Sequence, residues 1–167
     1  DQSARLDTMN CCLFDVGSVL RGGFEMGNVW YNEPKTLDTA FDVMGDIILS
    51  TAAQQYGGFT VPEVDKILSP YAQKSYNKYY EEFLKYSDPS WEGREEKGRV
   101  YAWEKVCRDC DQGWQGIEYK LNTVGSSRGD YPFVTVTLGL GTGRFEKMIS
   151  KSLLKVHMGG QGKAGHK

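Results

Sequence analysis

Two short runs of strand-forming residues stand far apart in this chain, CCLFDV at residues 11–16 and FVTVTL at residues 133–138, and mostly helical patterning lies between them. So long a crossover suits parallel strands, whereas antiparallel neighbours need only a tight turn. A parallel sheet is in turn covered by helices, so the expected class is α/β, predominantly helical, with two or more short parallel strands. The first run stays largely apolar until Gly17, as suits a strand buried on both faces. Side-chain alternation then sends Cys11 and Cys12 to opposite faces, so that one can line a cavity while the other packs.

The helical segments are read from period and caps. After a loop over residues 22–35, Thr36 is placed as an N-cap, and Leu37, Phe41, Met44 and Ile48 recur at helical spacing up to Tyr56. Thr60-Val61-Pro62-Glu63 has the capping-box pattern and predicts a second helix with Val64, Ile67 and Leu68 on one face. Pro70 is expected to begin a third, ending near Tyr86, and residues 87–98 read as a loop. Val100, Trp103, Val106, Cys110, Trp114, Ile117 and Leu121 hold helical period to about residue 124, although Gly113 and Gly116 weaken the middle. A last helix over residues 145–158 follows the turn GLGTG. The segment 159–167 is a Gly-rich tail with little to pack, and the whole reads as a piece of a longer protein.

Charge and composition exclude several classes. Lys and Arg number 20 against 22 Asp and Glu, a net charge of -2, so the chain lacks the basic excess that drives non-specific binding to nucleic acid. No apolar run is long enough to span a bilayer. Four cysteines without a signal-peptide pattern do not read as a disulfide framework, and the expected compartment is cytoplasmic.

The generic motifs are weak. Gly139-x-Gly141-x-Gly143 between strand and helix invites an anion, yet Arg144 stands where a dinucleotide fingerprint wants Gly, and no P-loop Lys-Ser/Thr pair follows. A tight structural turn is the better reading. Cys107-x-x-Cys110 has half the spacing of a zinc site, but it lies inside a periodic helix with no second pair, so packed helical thiols are expected and no metal site. Both histidines, His157 and His166, lie near the tail and suggest no catalytic triad. Tyr71, Tyr76, Tyr79, Tyr80 and Tyr86 read as core or subunit interface.

An ordered set of longer strings is more specific than any of these. NCCLFDVGSVLRGGFEMGNVWYNEPKTLDTAFDV at residues 10–43, QQYGGFTVPEVDKILSPYAQKSYNK at residues 54–78, EYKLNTVGSSRGDYPFVTVTLGLGT at residues 118–142 and the GQGK at residues 160–163 resemble, in collinear order, the anaerobic (class III, glycyl-radical) ribonucleoside triphosphate reductases. The resemblance implies an early part of the catalytic barrel, a ten-stranded α/β barrel in that family, over residues 1–167 with the dimer and effector helices included. It implies an oxidoreductase that makes deoxyribonucleoside triphosphates for DNA precursor synthesis by thiyl and glycyl radical chemistry, typically with formate as reductant. A radical-SAM iron-sulfur activase would install the radical on a glycine, and the family's zinc-binding tail and N-terminal ATP-binding region have no counterpart in these residues.

Carried over position by position, the resemblance makes Cys11 the strand cysteine that takes part in reducing the sugar radical. A thiol suits that task because its weak S–H bond releases a hydrogen atom and a strand fixes it against the ribose. Lys35 and Lys78 match basic positions that meet the triphosphate of a deoxynucleotide effector, and Asp46 stands near its base or sugar where many relatives carry Gln. Ser126, Ser127 and Arg128 fall in a loop between effector and substrate. A homodimer built on the helix after Pro34 is implied as well. The alternative from another class is a non-catalytic module that binds nucleotides and dimerises for regulation, which would have no need of Cys11.

Overall fold

The computed structural model describes residues 12–53, 58–123 and 133–160. Cys11, Ser126, Ser127, Arg128 and the tail beyond Gly160 lie outside the described residues. The order is β1 (Cys12–Leu13), α1 (Val16–Gly22), β2 (Phe24–Met26), β3 (Val29–Tyr31), α2 (Leu37–Ala53), β4 (Phe59–Val61), α3 (Val64–Tyr86), α4 (Arg94–Thr123), β5 (Val134–Val136) and α5 (Arg144–Gly159). Helices predominate. The strands form a three-stranded parallel sheet in the order β1-β4-β5 and a separate antiparallel pair, β2-β3.

The two outer strand runs lie parallel in one sheet, but they do not pair with each other, because β4 stands between them. Cys12 is in register with Phe59, and Phe59 with Val134. The capping-box reading of residues 60–63 is thereby corrected: Thr60 and Val61 belong to the middle strand, where Phe59 and Val61 are fully buried. Glu63 becomes the N-cap of α3, with φ 48 and no side-chain cap. The first amides are satisfied across the sheet instead: Glu63 donates to Thr137 Oγ1 and Val64 to the Thr137 carbonyl, each at 3.0 Å. Burial of two large apolar side chains outweighs a local cap here.

Other boundaries differ for equally local reasons. The first strand stops at Leu13 because Asp15 caps α1, accepting from the Ser18 amide at 3.0 Å and its hydroxyl at 2.6 Å, and Val16 and Leu20 then bury. The expected loop over residues 22–35 contains a hairpin whose two-residue turn, Gly27-Asn28, has Gly27 at φ 63, and Phe24 stacks on Tyr31 with ring centres 4.9 Å apart. Pro70 does not begin a helix. It is exposed within α3, so the Lys66 carbonyl left without its amide can face water. Arg94 starts α4 earlier than expected, its guanidinium donating to Ser87 Oγ at 2.9 Å and to the Leu84 carbonyl, which closes the α3–α4 turn.

The core lies where α2, α3, α4 and α5 meet on the sheet. Trp114 is its largest buried side chain, edge-on to Phe41 and donating from Nε1 to the Ile149 carbonyl at 3.3 Å. Gly113 sits mid-helix because the Phe41 ring lies against it, where any Cβ would collide. Helix propensity is sacrificed for close approach of α2 to α4.

Candidate functional site

Two of the expected site segments join described residues at one end of the parallel sheet. Cys12 directly follows Cys11 and begins β1, level with Phe59 and Val134. Phe133, which follows the segment carrying Ser126, Ser127 and Arg128, accepts the Phe59 amide on its carbonyl at 2.9 Å. Both segments therefore attach at the amino ends of the strands.

The other expected residues lie on or next to α2 and α3. Lys35 is exposed, between buried Pro34 and the first turn of α2. The Leu37 amide, one of the orphan donors of that turn, donates to Ser75 Oγ at 2.8 Å in a buried contact, which ties the start of α2 to the middle of α3. Lys78 lies one turn beyond Ser75 and is also exposed, its Nζ 5.9 Å from the centre of the Tyr79 ring. Lys35 and Lys78 thus stand at the same end of α2. Asp46 lies farther along this helix, paired with Lys120 of α4 at 3.2 Å.

A cleft of about 190 Å³ runs between α2 and α4. Asp38, Asp42, Asp109, Gln112, Gly116 and Lys120 are among its walls. At one end Tyr79 donates its hydroxyl to Asp109 at 2.6 Å. Burial raises the Asp109 carboxyl above its usual range, the Tyr79 hydroxyl opposes that, and Asp38 adds to it as a like charge. Sequence reasoning did not find Asp109, Gln112 or Lys120. Residues 109, 113, 116 and 120 recur at helical spacing on α4, but only the packing of α4 against α2 shows what they face.

The GLGTG turn is occupied by the chain's own carboxylates. Buried Asp65 accepts from the amides of Gly139 at 2.5 Å and Gly141 at 2.9 Å. Burial alone would raise its carboxyl, but the two amides outweigh that and hold it below the usual range. The Glu146 side chain fills the space beside Gly141 and Gly143. A phosphate there would meet two negative groups, which supports the structural reading of the turn. Cys110 is buried in the core, and burial pushes its thiol up to about 12. Among the described residues no three acidic, cysteine or histidine side chains are grouped to hold a metal ion, and no helix is long and apolar enough to cross a membrane.

Comparison with known proteins places the chain in a family of reductases, whose model matches it throughout, over residues 1–167. That family is anaerobic ribonucleoside-triphosphate reductase, and the chain belongs to it. A protein of that name from Enterobacteria phage T4 is 39% identical over 165 residues, covering 99% of this chain and 26% of its own length. The namesake in Haemophilus influenzae is 38% identical over 92% of the chain and 21% of its own length, and that in Escherichia coli K12 is 35% identical over 98% and 22%. The chain spans about a quarter or less of the length of these relatives.

Proposed function

We propose that the chain is part of the catalytic barrel of an anaerobic ribonucleoside-triphosphate reductase, which reduces ribonucleoside triphosphates to deoxyribonucleoside triphosphates. The observation that carries this is the family match over the entire chain, at 35–39% identity to curated reductases. Within that reading Cys11, the residue before β1 in the sequence, takes part in reducing the sugar radical as a hydrogen-atom donor. The complete enzyme's glycyl radical, installed by a radical-SAM activase, supplies the unpaired electron, and formate is the reductant. Ser126, Ser127 and Arg128 belong to the segment that leads into β5, and its hydroxyls and guanidinium are suited to meet substrate anions.

The second part of the proposal is regulatory. A deoxynucleoside triphosphate effector is read by Lys35 just before α2, Asp46 on α2 and Lys78 on α3, with α2 helices of two protomers paired about a two-fold axis. What supports this is that exposed Lys35, before α2, and exposed Lys78, on α3, flank the buried Leu37–Ser75 contact that joins the two helices, together with the cleft between α2 and α4. The phosphates belong at the lysine end, because the cleft itself is lined by carboxylates.

The complete reductase with Cys11→Ser tests the catalytic part. A serine O–H bond is too strong to give up the hydrogen atom, so deoxynucleotide formation should be lost while glycyl-radical formation and nucleotide binding persist. Turnover close to that of the unsubstituted enzyme would return Cys11 to a packing role.

A further inference from the structure

Asp38, Asp42 and Asp46 follow one another at four-residue spacing on α2; Asp38 and Asp42 line the cleft, with Asp109 opposite them on α4, and Asp46 stands one turn further along, beside the cleft residue Lys120. Among the described residues that line this cleft, Lys120 is the one cation. Its Nζ lies 3.2 Å from Asp46 Oδ1. Its stem crosses the backbone of α2 at Gly45, where a Cβ would meet Lys120 Cδ at 3.3 Å and Nζ at 3.4 Å. The missing side chain at Gly45 therefore lets Lys120 reach Asp46 by the direct route. The two side chains are only 31% and 38% exposed, so solvent screens the pair less than it would a surface pair.

This arrangement answers a difficulty in the effector reading of α2, on which the inference rests. Asp46 is a carboxylate placed beside a ligand that carries a triphosphate, on a helix face with two more carboxylates. Left uncompensated, it would repel that ligand. We infer that Lys120 is a positioning residue of the effector site: it cancels the charge of Asp46 and fixes Oδ1. Oδ2 is then left to accept a hydrogen bond from an N–H or O–H of the bound deoxynucleoside. Lys120 acts through Asp46 and need not touch the ligand.

The test is calorimetric titration of the complete reductase with each deoxynucleoside triphosphate, comparing the unsubstituted enzyme, Lys120→Met, Asp46→Asn and the double variant. Lys120→Met keeps the apolar stem over Gly45 and should weaken effector binding by about tenfold at low ionic strength, a loss that shrinks as salt screens the bared carboxylate. In the Asp46→Asn background the same substitution should change affinity by less than about threefold, because no charge remains to compensate. A loss that is equal in both backgrounds, or indifferent to salt, would reduce Lys120 to a packing role and overturn the inference. So would unchanged affinity in Lys120→Met. Should Lys120→Met not fold, the double variant against Asp46→Asn alone, with Lys120→Gln as the second single variant, reads the same term. If the unsubstituted enzyme binds no deoxynucleotide, the effector reading itself fails and this inference with it. Binding that ignores Lys120 removes only the inference.

Discussion

The ring of Phe41 rests on the backbone of Gly113, closing α2 on α4 with no room for even a methyl group between them. Gly116, three residues on and exposed at the cleft, has nothing within 4 Å of a Cβ. The two glycines should respond oppositely to the same substitution. Gly116→Ala gains helix propensity unopposed and should stabilise the protein by about 0.5–1 kcal/mol. Gly113→Ala gains the same propensity but must displace a core aromatic ring, and a net loss of about 1–2 kcal/mol is expected. Denaturant unfolding of the two variants checks the contrast, and equal effects would mean that α2 does not approach α4 this closely.

Asp65 joins the start of α3 to the β5–α5 turn by accepting two amides from residues more than seventy positions away. Asp65→Asn retains one acceptor but turns an NH₂ toward the other amide, so a loss of about 2–3 kcal/mol is expected at neutral pH. Burial raises this carboxyl and the Gly139 and Gly141 amides lower it by more, leaving it below its ordinary 3.8. The contribution is therefore complete above the unfolded value and fades as pH falls through the folded one. Unfolding measured from pH 7 downward should show the variant and the unsubstituted protein converging in acid. A difference that does not depend on pH would mean that the charge of Asp65 contributes nothing.

Asp109 has the opposite sign. Burial, with Asp38 assisting, lifts its carboxyl above 3.8 despite the Tyr79 hydroxyl. Ionisation is thus harder in the fold than in the unfolded chain, and this penalty is present above the folded value and relieved as pH falls toward the unfolded one. Asp109→Asn keeps an acceptor for Tyr79 and removes the penalty, so the melting temperature should rise at pH 7 and the gain should vanish in acid. A lower melting temperature at pH 7 would show that Asp109 is held by cations more strongly than it is burdened by burial.

What the sequence disclosed depends on length and period. α2, α4 and α5 were readable because each repeats its pattern over several turns, the strand at Val134–Val136 because it sits in the six-residue run FVTVTL, and the long crossover suited parallel strands. β4 was not, since three residues cannot establish alternation and Thr60-Val61-Pro62-Glu63 mimics a helix cap. The hairpin carried a usable signal, Gly27-Asn28 between Phe24 and Tyr31, which the loop reading passed over. Pro70 read as a boundary because sequence does not show that the carbonyl it frees faces water. At the site, Lys35, Asp46 and Lys78 were reachable only through resemblance. Asp109 and Lys120 lie 30 and 74 residues from the side chains they engage, and nothing local announces such a meeting.

The effector proposal makes its sharpest demand on Lys35. This residue stands at the entrance to α2, where the buried Leu37–Ser75 hydrogen bond fixes the helix start against α3 and so sets the relation of Lys35 to Lys78. The helix N-terminus adds a partial positive charge at the same place. A well-formed charge-assisted contact contributes roughly 1.5–3 kcal/mol. In the complete reductase, Lys35→Ala should therefore weaken deoxynucleoside triphosphate binding by about one to two orders of magnitude, with activase-dependent radical formation intact. Lys35→Arg, which keeps the charge, should recover most of the affinity. Calorimetric titration with all four deoxynucleoside triphosphates decides the matter. Unchanged affinity for every one of them would remove Lys35 from the site and leave α2 a role in architecture alone.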